Sequence, residues 1–495
     1  MRSISRRDFL QDSALAAAAL AGTGVVGDAF AVEKVAAVKK GQVNDQLRVA
    51  VIGVHGRGMS HVNGFAGKHN CIVTTICDVD TAVIGSAMKQ VEDQQGKAPK
   101  FEQDIRKVVE DKNIDIITIA TPNHWHALAA IWALQNGKDV YVEKPVSHNV
   151  SEGRRIVEVA RKTNRICQAG MQSRSSSGLQ EAMKFLHEGK LGKIKVARGL
   201  CYKRRSSIGK VKGPQQPPKT MNYDLWCGPA PFQLPHRNNP LFGTVHYDWH
   251  WIWDYGNGDL GNQGIHEMDK ARWGLNKHEL AKGVVSVGGR FGYIDDGETP
   301  NTQICVFDYG DCELIFEVRG LPTKDLLGAK VGNIWYGTDG YMVCNSYESA
   351  IAFDNDGKEV KRFTTPKVKG REGVHFGNFI KAVRSRKVED LNGDILQGHL
   401  SSALCHLGNI SYRLGEEQPF DQTPQAFAKD KDASVTFARM EKHLKDNKIA
   451  LADLKCRAGR KLTLDTAHER FLDDKDANAM LTRQYRKGFE VPEKV

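Results

Sequence analysis

The sequence predicts an α/β protein with two domains: first a doubly wound parallel sheet, then an α/β domain with an open, mostly antiparallel sheet. A chain of 495 residues is longer than one hydrophobic core usually fills. In the first half, short β-branched runs alternate with helix-length segments, which is typical of parallel strands joined by helices. In the second half, strands follow one another without long helices between them, which favours antiparallel pairing.

Residues 1–31 are predicted to be a twin-arginine export signal. Arg6 and Arg7 precede an apolar, alanine-rich run over residues 14–26, and Ala29-Phe30-Ala31 fits a small-x-small cleavage site. A membrane anchor is the alternative, but the run ends before about twenty residues, the length that spans a bilayer. We therefore expect export to the periplasm by the twin-arginine machinery, no stable membrane span in the mature protein, and a linker over residues 32–45.

Residues 46–172 are predicted to form a dinucleotide-binding domain. Its predicted strands cover residues 48–53, 71–78, 114–120, 139–142 and 165–168. The first strand runs into a glycine loop, and the second ends in Asp78, which is the arrangement of a Rossmann domain. An acid at that position binds the ribose hydroxyls of adenosine and repels a phosphate, so Asp78 favours NAD over NADP.

The glycine loop departs from the Gly-x-Gly-x-x-Gly pattern at one position. His55 replaces the middle glycine, while Gly53, Gly56 and Gly58 remain. We expect the pyrophosphate to approach the backbone at Gly56, and His55 or Arg57 to contact phosphate or substrate.

Composition excludes a nucleic-acid partner. The formal net charge of +11 is spread along the chain, and no nucleic-acid-binding motif accompanies the short basic clusters.

The ten cysteines form no CxxC pair. They are predicted to be buried free thiols, although one disulfide formed after export stays an alternative.

Residues 173–415 are predicted to form the second domain, and residues 416–495 a helical extension that wraps the body. The predicted elements are a helix over residues 179–187, strands over 283–288, 302–307, 313–318 and 335–344, and helices over 373–384 and 398–414 that flank the second sheet.

Polar side chains follow two strands of the first domain, at the sheet edge where ligands bind in doubly wound folds. The third strand leads into a Thr-Pro-Asn-His-x-His segment, and the fourth into Glu-Lys-Pro. The predicted cofactor contacts in this region are Thr121, Pro122, Asn123, His126, Glu143, Lys144 and Gln172.

In this order, the glycine loop, these two segments and a later Gly-x-His-x-x-Asp stretch beginning at Gly264 resemble the Gfo/Idh/MocA oxidoreductase family. The resemblance spans roughly residues 48–414. It implies a second domain that commonly mediates homo-oligomerisation, as a dimer or tetramer. It also implies hydride transfer between nicotinamide and a sugar or polyol carbon, with Lys144 beside the reacting hydroxyl and His266 as the catalytic histidine.

Asn262 departs from the family pattern, in which the position four residues before the histidine is usually aspartate. An asparagine can orient a substrate hydroxyl but cannot take a proton. Helical spacing predicts that Asn262 lies beside His266. We expect Asn262 and Arg174 to contact the substrate.

A segment with three tryptophans in five residues lies just upstream of this motif. Aromatic faces stack on sugar rings, so Trp249, with His250 and Asp254, is predicted to contact the substrate. The alternative is that the tryptophans pack between the domains. We expect no metal ion, because the spacings of the candidate ligands match no recognised pattern: His124, His126, His250 and His266.

Together these features predict an exported NAD-dependent oxidoreductase that acts on a sugar or polyol hydroxyl with a tightly bound, recycled cofactor. One alternative is a glycosidase or lyase in which transient oxidation permits elimination of a glycosidic bond. Relatives of that kind are associated with a tyrosine three residues before the histidine, where this chain has Gln263. A noncatalytic sugar-binding protein is the other alternative.

Overall fold

The sheet of the first domain consists of six parallel strands. They are β1 (Leu47–Ile52), β2 (Cys71–Cys77), β3 (Lys100–Glu102), β4 (Ile116–Ile119), β5 (Asp139–Val142) and β6 (Cys167–Ala169), in the order β3-β2-β1-β4-β5-β6. The computed structural model describes residues 46–366, 371–420 and 422–495, so the predicted export signal and linker lie outside the described residues. The strand order is that of a dinucleotide-binding fold, and the predicted fold class is confirmed.

Helices connect these strands and cover both faces of the sheet. They are α1 (Gly58–Phe65), α2 (Gly85–Gln95), α3 (Ile105–Glu110), α4 (Asn123–Gln135) and α5 (Val150–Lys162). Side chains fix two of the starts, since Asp104 accepts a hydrogen bond from the backbone of Arg106 at α3, and Asn149 accepts one from Glu152 at α5.

The second domain contains a 12-stranded sheet. Its strands are β7 (Val196–Cys201), β8 (Gly283–Gly289), β9 (Thr302–Asp308), β10 (Glu313–Arg319), β11 (Val331–Tyr336), β12 (Tyr341–Cys344), β13 (Ser349–Phe353), β14 (Glu359–Thr364), β15 (Glu416–Pro419), β16 (Lys455–Ala458), β17 (Leu462–Asp465) and β18 (Arg470–Phe471). The main path runs β14-β13-β12-β11-β7-β10-β9-β8-β16-β15, and β17 pairs with β8 and β18. Only β7 and β10 pair in parallel among the described strands of this sheet, so it is mostly antiparallel, as predicted.

The remaining helices are α6 (Ser177–His187), α7 (Tyr223–Cys227), α8 (Gly258–Gly261), α9 (Gly264–Gly274), α10 (Arg371–Ser385), α11 (Ile395–Arg413), α12 (Lys431–Asp446) and α13 (Lys475–Ala479). The strand predicted over residues 335–344 is in fact a hairpin of β11 and β12, because the chain turns at Gly337, whose amide donates to the carbonyl of Gly340 at 2.8 Å.

The helix predicted over residues 373–384 is present as α10, but its predicted location was wrong. It packs on the parallel sheet of the first domain and does not flank the second sheet. Its buried aromatic rings contact β1, α1 and β5 through a single apolar cluster that includes Val49, Val51, Phe65, Tyr141, Phe376 and Phe379. Apolar periodicity predicts that a helix has a buried face, but not which sheet buries it.

The last residues do not form the predicted helical extension. Among residues 416–420 and 422–495, which the structure describes, α12 is the one long helix, and β15, β16 and β17 lengthen the second sheet. Phe437 and Met440 of α12 pack on one face of that sheet with Ile304 and Val306. Further along, the ring of Phe489 lies 5.7 Å from that of Trp125 in the first domain.

Within the described ranges, no helix is both long and apolar enough to cross a membrane. All ten cysteines lie in those ranges, and each is buried and free. Burial in apolar surroundings raises the pKa of most of these thiols, for example that of Cys305 to about 12.

Candidate functional site

A cavity of ≈ 440 Å³ lies where the loop after β1, the carboxyl ends of β4 and β5, and residues 225–250 of the second domain meet. The size suits a small-molecule ligand. Predicted site residues that line it are Gly53, His55, Gly56, Arg57, Asp78, Thr121, Pro122, Asn123, His126, Glu143, Lys144, Trp249, His250 and Asn262.

The glycine loop can take its path only because it lacks side chains. Gly53 has φ +80°, and a Cβ there would lie 2.8 Å from the carbonyl carbon and oxygen of Ala120. A Cβ on Gly58 would lie 2.8 Å from the carbonyl carbon of Gly53 and nearer still to its oxygen. α1 therefore begins directly against the end of β1, with Gly58 inside the loop and not on the cavity wall.

Two features of this loop region fit the pyrophosphate and ribose of a dinucleotide. A Cβ on Gly56 would meet no atom within 4 Å, so the backbone there has room for a ligand. The Thr121 hydroxyl is buried at the cavity wall and has no hydrogen-bond partner among the described residues. A buried polar group without a partner is costly, and a ligand oxygen would satisfy it.

Asp78 is fixed at the end of β2 by the backbone. Its carboxylate accepts hydrogen bonds from the amide of Val54 at 2.8 Å and the amide of Asp80 at 3.0 Å. Burial raises the pKa of Asp78, and these two hydrogen bonds oppose that shift. The side chain thus lies at the cavity where an adenosine ribose would be recognised.

Arg57 was expected to contact phosphate or substrate, and in the structure it forms an ion pair with Glu143. Its Nε donates to Glu143 Oε1 at 2.8 Å, and His61 Nε2 lies 3.2 Å from the same oxygen. Burial alone would raise the pKa of Glu143, but Arg57 and His61 hold it well below its usual range. Gln172 donates to Tyr141 at 3.2 Å and to Glu143 at 3.4 Å, so it contacts the site from behind Glu143.

His126 braces the ends of β4 and β5. Its Nδ1 lies 2.6 Å from the carbonyl oxygen of Pro145, and its Nε2 lies 2.8 Å from that of Thr121. Burial lowers the pKa of His126, and a neutral imidazole has one N–H, so one of these two carbonyls accepts a hydrogen bond while the ring packs between the two strand ends.

Lys144 points across the cavity to the second domain. Its Nζ donates to the backbone carbonyl of Asn262 at 2.9 Å. Burial lowers the pKa of Lys144, the positive charges of Arg57 and Lys203 lower it further, and Glu143 opposes them. An ammonium has three N–H donors, so two remain for a ligand.

His266 lies beside the cavity wall and does not line it. Burial, followed by the charge of Lys144, holds the pKa of His266 well below its usual value, so its imidazole is neutral at pH 7. The ring packs edge to face with Tyr347 at 5.2 Å, and its nitrogens form no hydrogen bond with other described residues. A neutral imidazole with a free nitrogen next to a lysine can accept a proton.

The expected helical relation between Asn262 and His266 was wrong. α8 ends at Gly261 and α9 begins at Gly264, and Asn262 lies between them with φ −86° and ψ −82°. The glycines in this stretch have low helix propensity, so the helix breaks there. The backbone of Asn262, turned toward the cavity by this break, is what Lys144 contacts.

Two predicted substrate contacts lie elsewhere. Arg174 forms a buried ion pair with Asp269, with Nη2 donating to Oδ1 at 2.8 Å, and lines a second cavity of ≈ 350 Å³. Asp254 lies 3.6 Å from Arg483, and its backbone carbonyl accepts a hydrogen bond from the same arginine. Sequence spacing does not reveal such partners, because they come from distant segments.

The three tryptophans have separate environments. Trp249 lines the cavity and stacks on His250 at 3.7 Å, whereas Trp251 is buried beside Arg205, and Trp253 packs on Arg413 at 5.0 Å. Within the described ranges, no group of three or more histidine, cysteine or acidic side chains could hold a metal ion.

Sequence reasoning missed several residues that line the cavity from the second domain: Leu225, Trp226, Phe242, His246 and Tyr247. Their segment also closes on the first domain. Thr220 Oγ1 donates to Asp80 at 2.6 Å, and His246 Nε2 lies 3.0 Å from the same carboxylate. No sequence pattern marks these positions, apart from the Tyr-x-x-His formed by Tyr247 and His250.

Comparisons with known proteins agree with this fold. Residues 47–171 match the model of an oxidoreductase family with an NAD-binding Rossmann fold, and residues 180–445 match the C-terminal alpha/beta domain of the same family. The chain is similar to Glycosyl hydrolase family 109 proteins of Shewanella baltica, with 29% identity over an alignment of 208 residues that covers 39% of this chain and 45% of the relative. A protein of the same description from Saccharopolyspora erythraea is 29% identical over 206 residues. The chain thus spans about half the length of the curated relatives that it matches.

Solved structures share the architecture at low identity. A levoglucosan dehydrogenase crystallised with NADH and levoglucosan superposes with a TM-score of 0.54 at 18% identity, over 72% of this chain and 95% of that one. The WlbA dehydrogenase of Bordetella pertussis, in complex with NADH and UDP-GlcNAcA, superposes with a TM-score of 0.51 at 17% identity, over 72% of this chain and 94% of that one. The two family matches cover most of the chain. It therefore belongs to the Gfo/Idh/MocA oxidoreductase family, with an NAD-binding Rossmann domain followed by the C-terminal α/β domain of that family.

Proposed function

We propose that this protein oxidises a hydroxyl-bearing carbon of a sugar or polyol, and that one tightly bound NAD is reduced and reoxidised in successive steps. The observation that carries the proposal is the placement of Lys144 in the cavity wall, with His266 of the second domain beside that wall. Lys144 has N–H donors to spare, and His266 is neutral with ring nitrogens free of described partners. Oxidation of an alcohol needs this combination, because the hydroxyl oxygen must lose a proton while its carbon loses a hydride to the nicotinamide.

The chain supplies the proton chemistry. NAD, when bound, accepts a hydride from the carbon and can return one. His266 takes the hydroxyl proton as general base, which contributes about 10²- to 10⁴-fold to such reactions. Lys144 donates a hydrogen bond to the same oxygen and stabilises the negative charge that develops there. Gly53 to Gly58, Asp78 and Thr121 would hold the cofactor.

A carbohydrate substrate is supported by the wall of the cavity and by the comparisons. Trp249, Tyr247 and Phe242 give the cavity aromatic faces, which suit the apolar faces of a sugar ring. Of the solved neighbours, one was crystallised with levoglucosan and another with UDP-GlcNAcA. The curated relatives are named as glycosyl hydrolases.

Retention of the cofactor is supported by the way residues 218–250 close over the site. The amide of Asn222 donates to the carbonyl of Val79 at 2.8 Å, and the amide of Thr81 donates to that of Thr220 at 3.1 Å. These bonds lie next to Asp78, so release of an adenosine held there would require this segment to open. Retention also suits export of a folded, loaded protein through the twin-arginine route to the periplasm, which we propose from Arg6 and Arg7.

The test begins with the purified protein and no added cofactor. Acid release should yield close to one NAD per chain. Incubation with pairs of sugars should then oxidise one and reduce the other. A protein that carries no nucleotide and binds none when NAD is added would contradict the proposal.

A second candidate is cleavage of a glycosidic bond after transient oxidation, and the relatives named Glycosyl hydrolase family 109 favour it. In that reaction, oxidation acidifies the neighbouring C–H, and loss of this proton expels the glycosidic oxygen as the leaving alcohol. Water then adds to the resulting double bond (in a lyase it does not), and the hydride returns to the carbonyl carbon, so no net redox change remains. Product analysis with aryl glycosides separates the two candidates.

A noncatalytic sugar-binding protein is tested by the variant Lys144→Ala. If this variant keeps its physiological activity, the protein binds sugar without catalysis.

We also propose that the protein forms a homo-oligomer, as a dimer or tetramer. Light scattering of the purified protein tests this, and a mass of one chain at micromolar concentration would refute it.

A further inference from the structure

Tyr247 lies at the centre of a tight reversal of the chain within the cavity wall. Its φ is +66° and its ψ is −55°, and the amide of Asp248 donates to the carbonyl of His246 at 2.9 Å. This hydrogen bond between residues two apart defines a γ-turn of the rare, strained kind. Residues with side chains avoid this backbone region, and when they occupy it the surroundings must hold them there.

Contacts of the two flanking residues, His246 and Asp248, keep the backbone of Tyr247 in this turn. His246 Nε2 lies 3.0 Å from Asp80 of the first domain. Asp248 is buried, and its carboxylate accepts a hydrogen bond from Asn239 at 2.9 Å. A γ-turn fixed on both sides leaves the central side chain little choice of direction. Tyr247 points into the cavity, where 36% of its surface stays exposed.

The Tyr247 ring packs against Phe242 and against the ring of His250, which lies 4.9 Å away, and the Tyr247 hydroxyl contacts Arg205. Phe242 stacks on the ring at 4.6 Å with an interplanar angle of 26°. Arg205 Nη1 donates to the phenol oxygen at 2.9 Å, and the same guanidinium donates to both carboxylate oxygens of Asp259. Because the phenol oxygen accepts from Arg205, its own O–H is free to be donated to a ligand.

We propose that Tyr247 is a substrate-contacting residue that sets specificity. It donates a hydrogen bond from its hydroxyl to an oxygen of the bound sugar, and one face of its ring packs against that sugar. The proposal rests on the proposed carbohydrate function and adds the residue that orients the sugar relative to Lys144. The strain at Tyr247 is then explained, because a glycine in its place would relax the turn but abolish both contacts.

The test compares Tyr247→Phe and Tyr247→Gly with the wild type as NAD-loaded full chains. Tyr341→Phe is the matched control, since that tyrosine packs on Phe353 in the second sheet and does not line the cavity. We expect Tyr247→Phe to keep its NAD content and melting temperature, and to lose about tenfold in sugar affinity, as expected for one hydrogen bond. Tyr247→Gly should lose more than tenfold without a lower melting temperature, because it relieves the turn. Tyr341→Phe should match the wild type.

Sugar affinity is measured by calorimetry, and turnover is followed separately on the same samples. If both Tyr247 variants bind sugar within twofold of the wild type, the role of Tyr247 is refuted while the proposed function stands. If the wild type binds sugar without turnover and Tyr247→Phe weakens that binding, the role stands and the proposed function fails. If the loaded wild type binds no sugar, both are refuted. A melting temperature of Tyr247→Gly well below that of the wild type would show that Tyr247 serves structure, and would overturn the proposal.

Discussion

Gly53→Ala should disable cofactor binding through the backbone alone. The residue ends β1 with φ +80°, and an added Cβ would lie 2.8 Å from the carbonyl carbon and oxygen of Ala120 and 2.9 Å from the amide nitrogen of Thr121. All three contacts are with main chain at the end of β4, so no side chain can swing away. Either β4 or the loop must move.

The size of the effect follows from two terms. A left-handed conformation costs an alanine about 1–2 kcal/mol, and relief of the three close contacts costs about 1–3 kcal/mol. The free energy of unfolding should therefore fall by about 2–5 kcal/mol. A loop displaced from its place would also lose at least one hydrogen bond to the charged pyrophosphate, about 1.5–3 kcal/mol, which corresponds to an affinity for NAD that is weaker by about 10- to 150-fold.

Urea unfolding and calorimetric titration with NAD, both on protein stripped of cofactor, measure the two quantities. Gly85→Ala is the matched control, because a Cβ there meets no atom within 4 Å. Gly85 begins α2, so alanine should raise stability slightly and leave NAD affinity unchanged. If Gly53→Ala binds NAD as tightly as Gly85→Ala and unfolds at the same urea concentration, the glycine loop does not hold the cofactor as we infer.

Three further predictions concern the proton chemistry and the anchoring of the carboxyl-terminal segment. Lys144→Met should keep its NAD but lose about 10²- to 10⁴-fold in kcat/KM, and equal activity in steady-state assays would contradict the role of the ammonium. Because the pKa values of His266 and Lys144 are both lowered, both limbs of the pH profile of kcat/KM should shift to lower pH. The acid limb, which reports protonation of His266, should lie below pH 6.5, and the alkaline limb, which reports loss of the Lys144 proton, should lie below pH 10.5. An acid limb at or above 6.5 would refute the lowered pKa of His266. Glu469, paired with His399 and Arg154, has its pKa lowered from 4.5 to about 2, because these partners outweigh burial. A carboxylate whose pKa is lowered by folding stabilises the fold when the pH is above its unfolded pKa, and this contribution is lost as the pH falls toward 2. In chemical unfolding, Glu469→Gln should therefore lower the free energy of unfolding by up to about 3 kcal/mol at pH 7 and should have no effect near pH 2.

The first domain could be predicted closely because each of its signals is local. β5 begins at Asp139 and ends at Val142, as the apolar run predicts, and β1 runs into Gly53 with the required positive φ. Thr121, Glu143 and Lys144 follow strand ends, and parallel topology alone brings those ends to one edge. These parts of the candidate site therefore follow from pattern and topology.

The second domain's share of the site could not be predicted in the same way. Tyr247 and His246 reach the cavity from a long irregular segment whose path depends on contacts with Asp80 and Asn239. Arg174 forms an ion pair with Asp269, a residue of the same motif as His266, and therefore lies away from the cavity that Lys144 lines. The position of such a side chain depends on which of several partners, distant in the sequence, it contacts. A sequence pattern does not indicate which of these contacts is the most stable.

The position of α10 makes the first domain discontinuous in sequence. Its parallel sheet is completed by a helix that follows β7 to β14 of the second sheet in the chain, and Phe376 and Phe379 cover a surface that would otherwise be open. A fragment ending at residue 172 would leave Phe65 and Tyr141 in water and should aggregate. We therefore expect a nascent chain to complete its cofactor domain only once residues 371–385 have been synthesised, so that NAD binds late in synthesis.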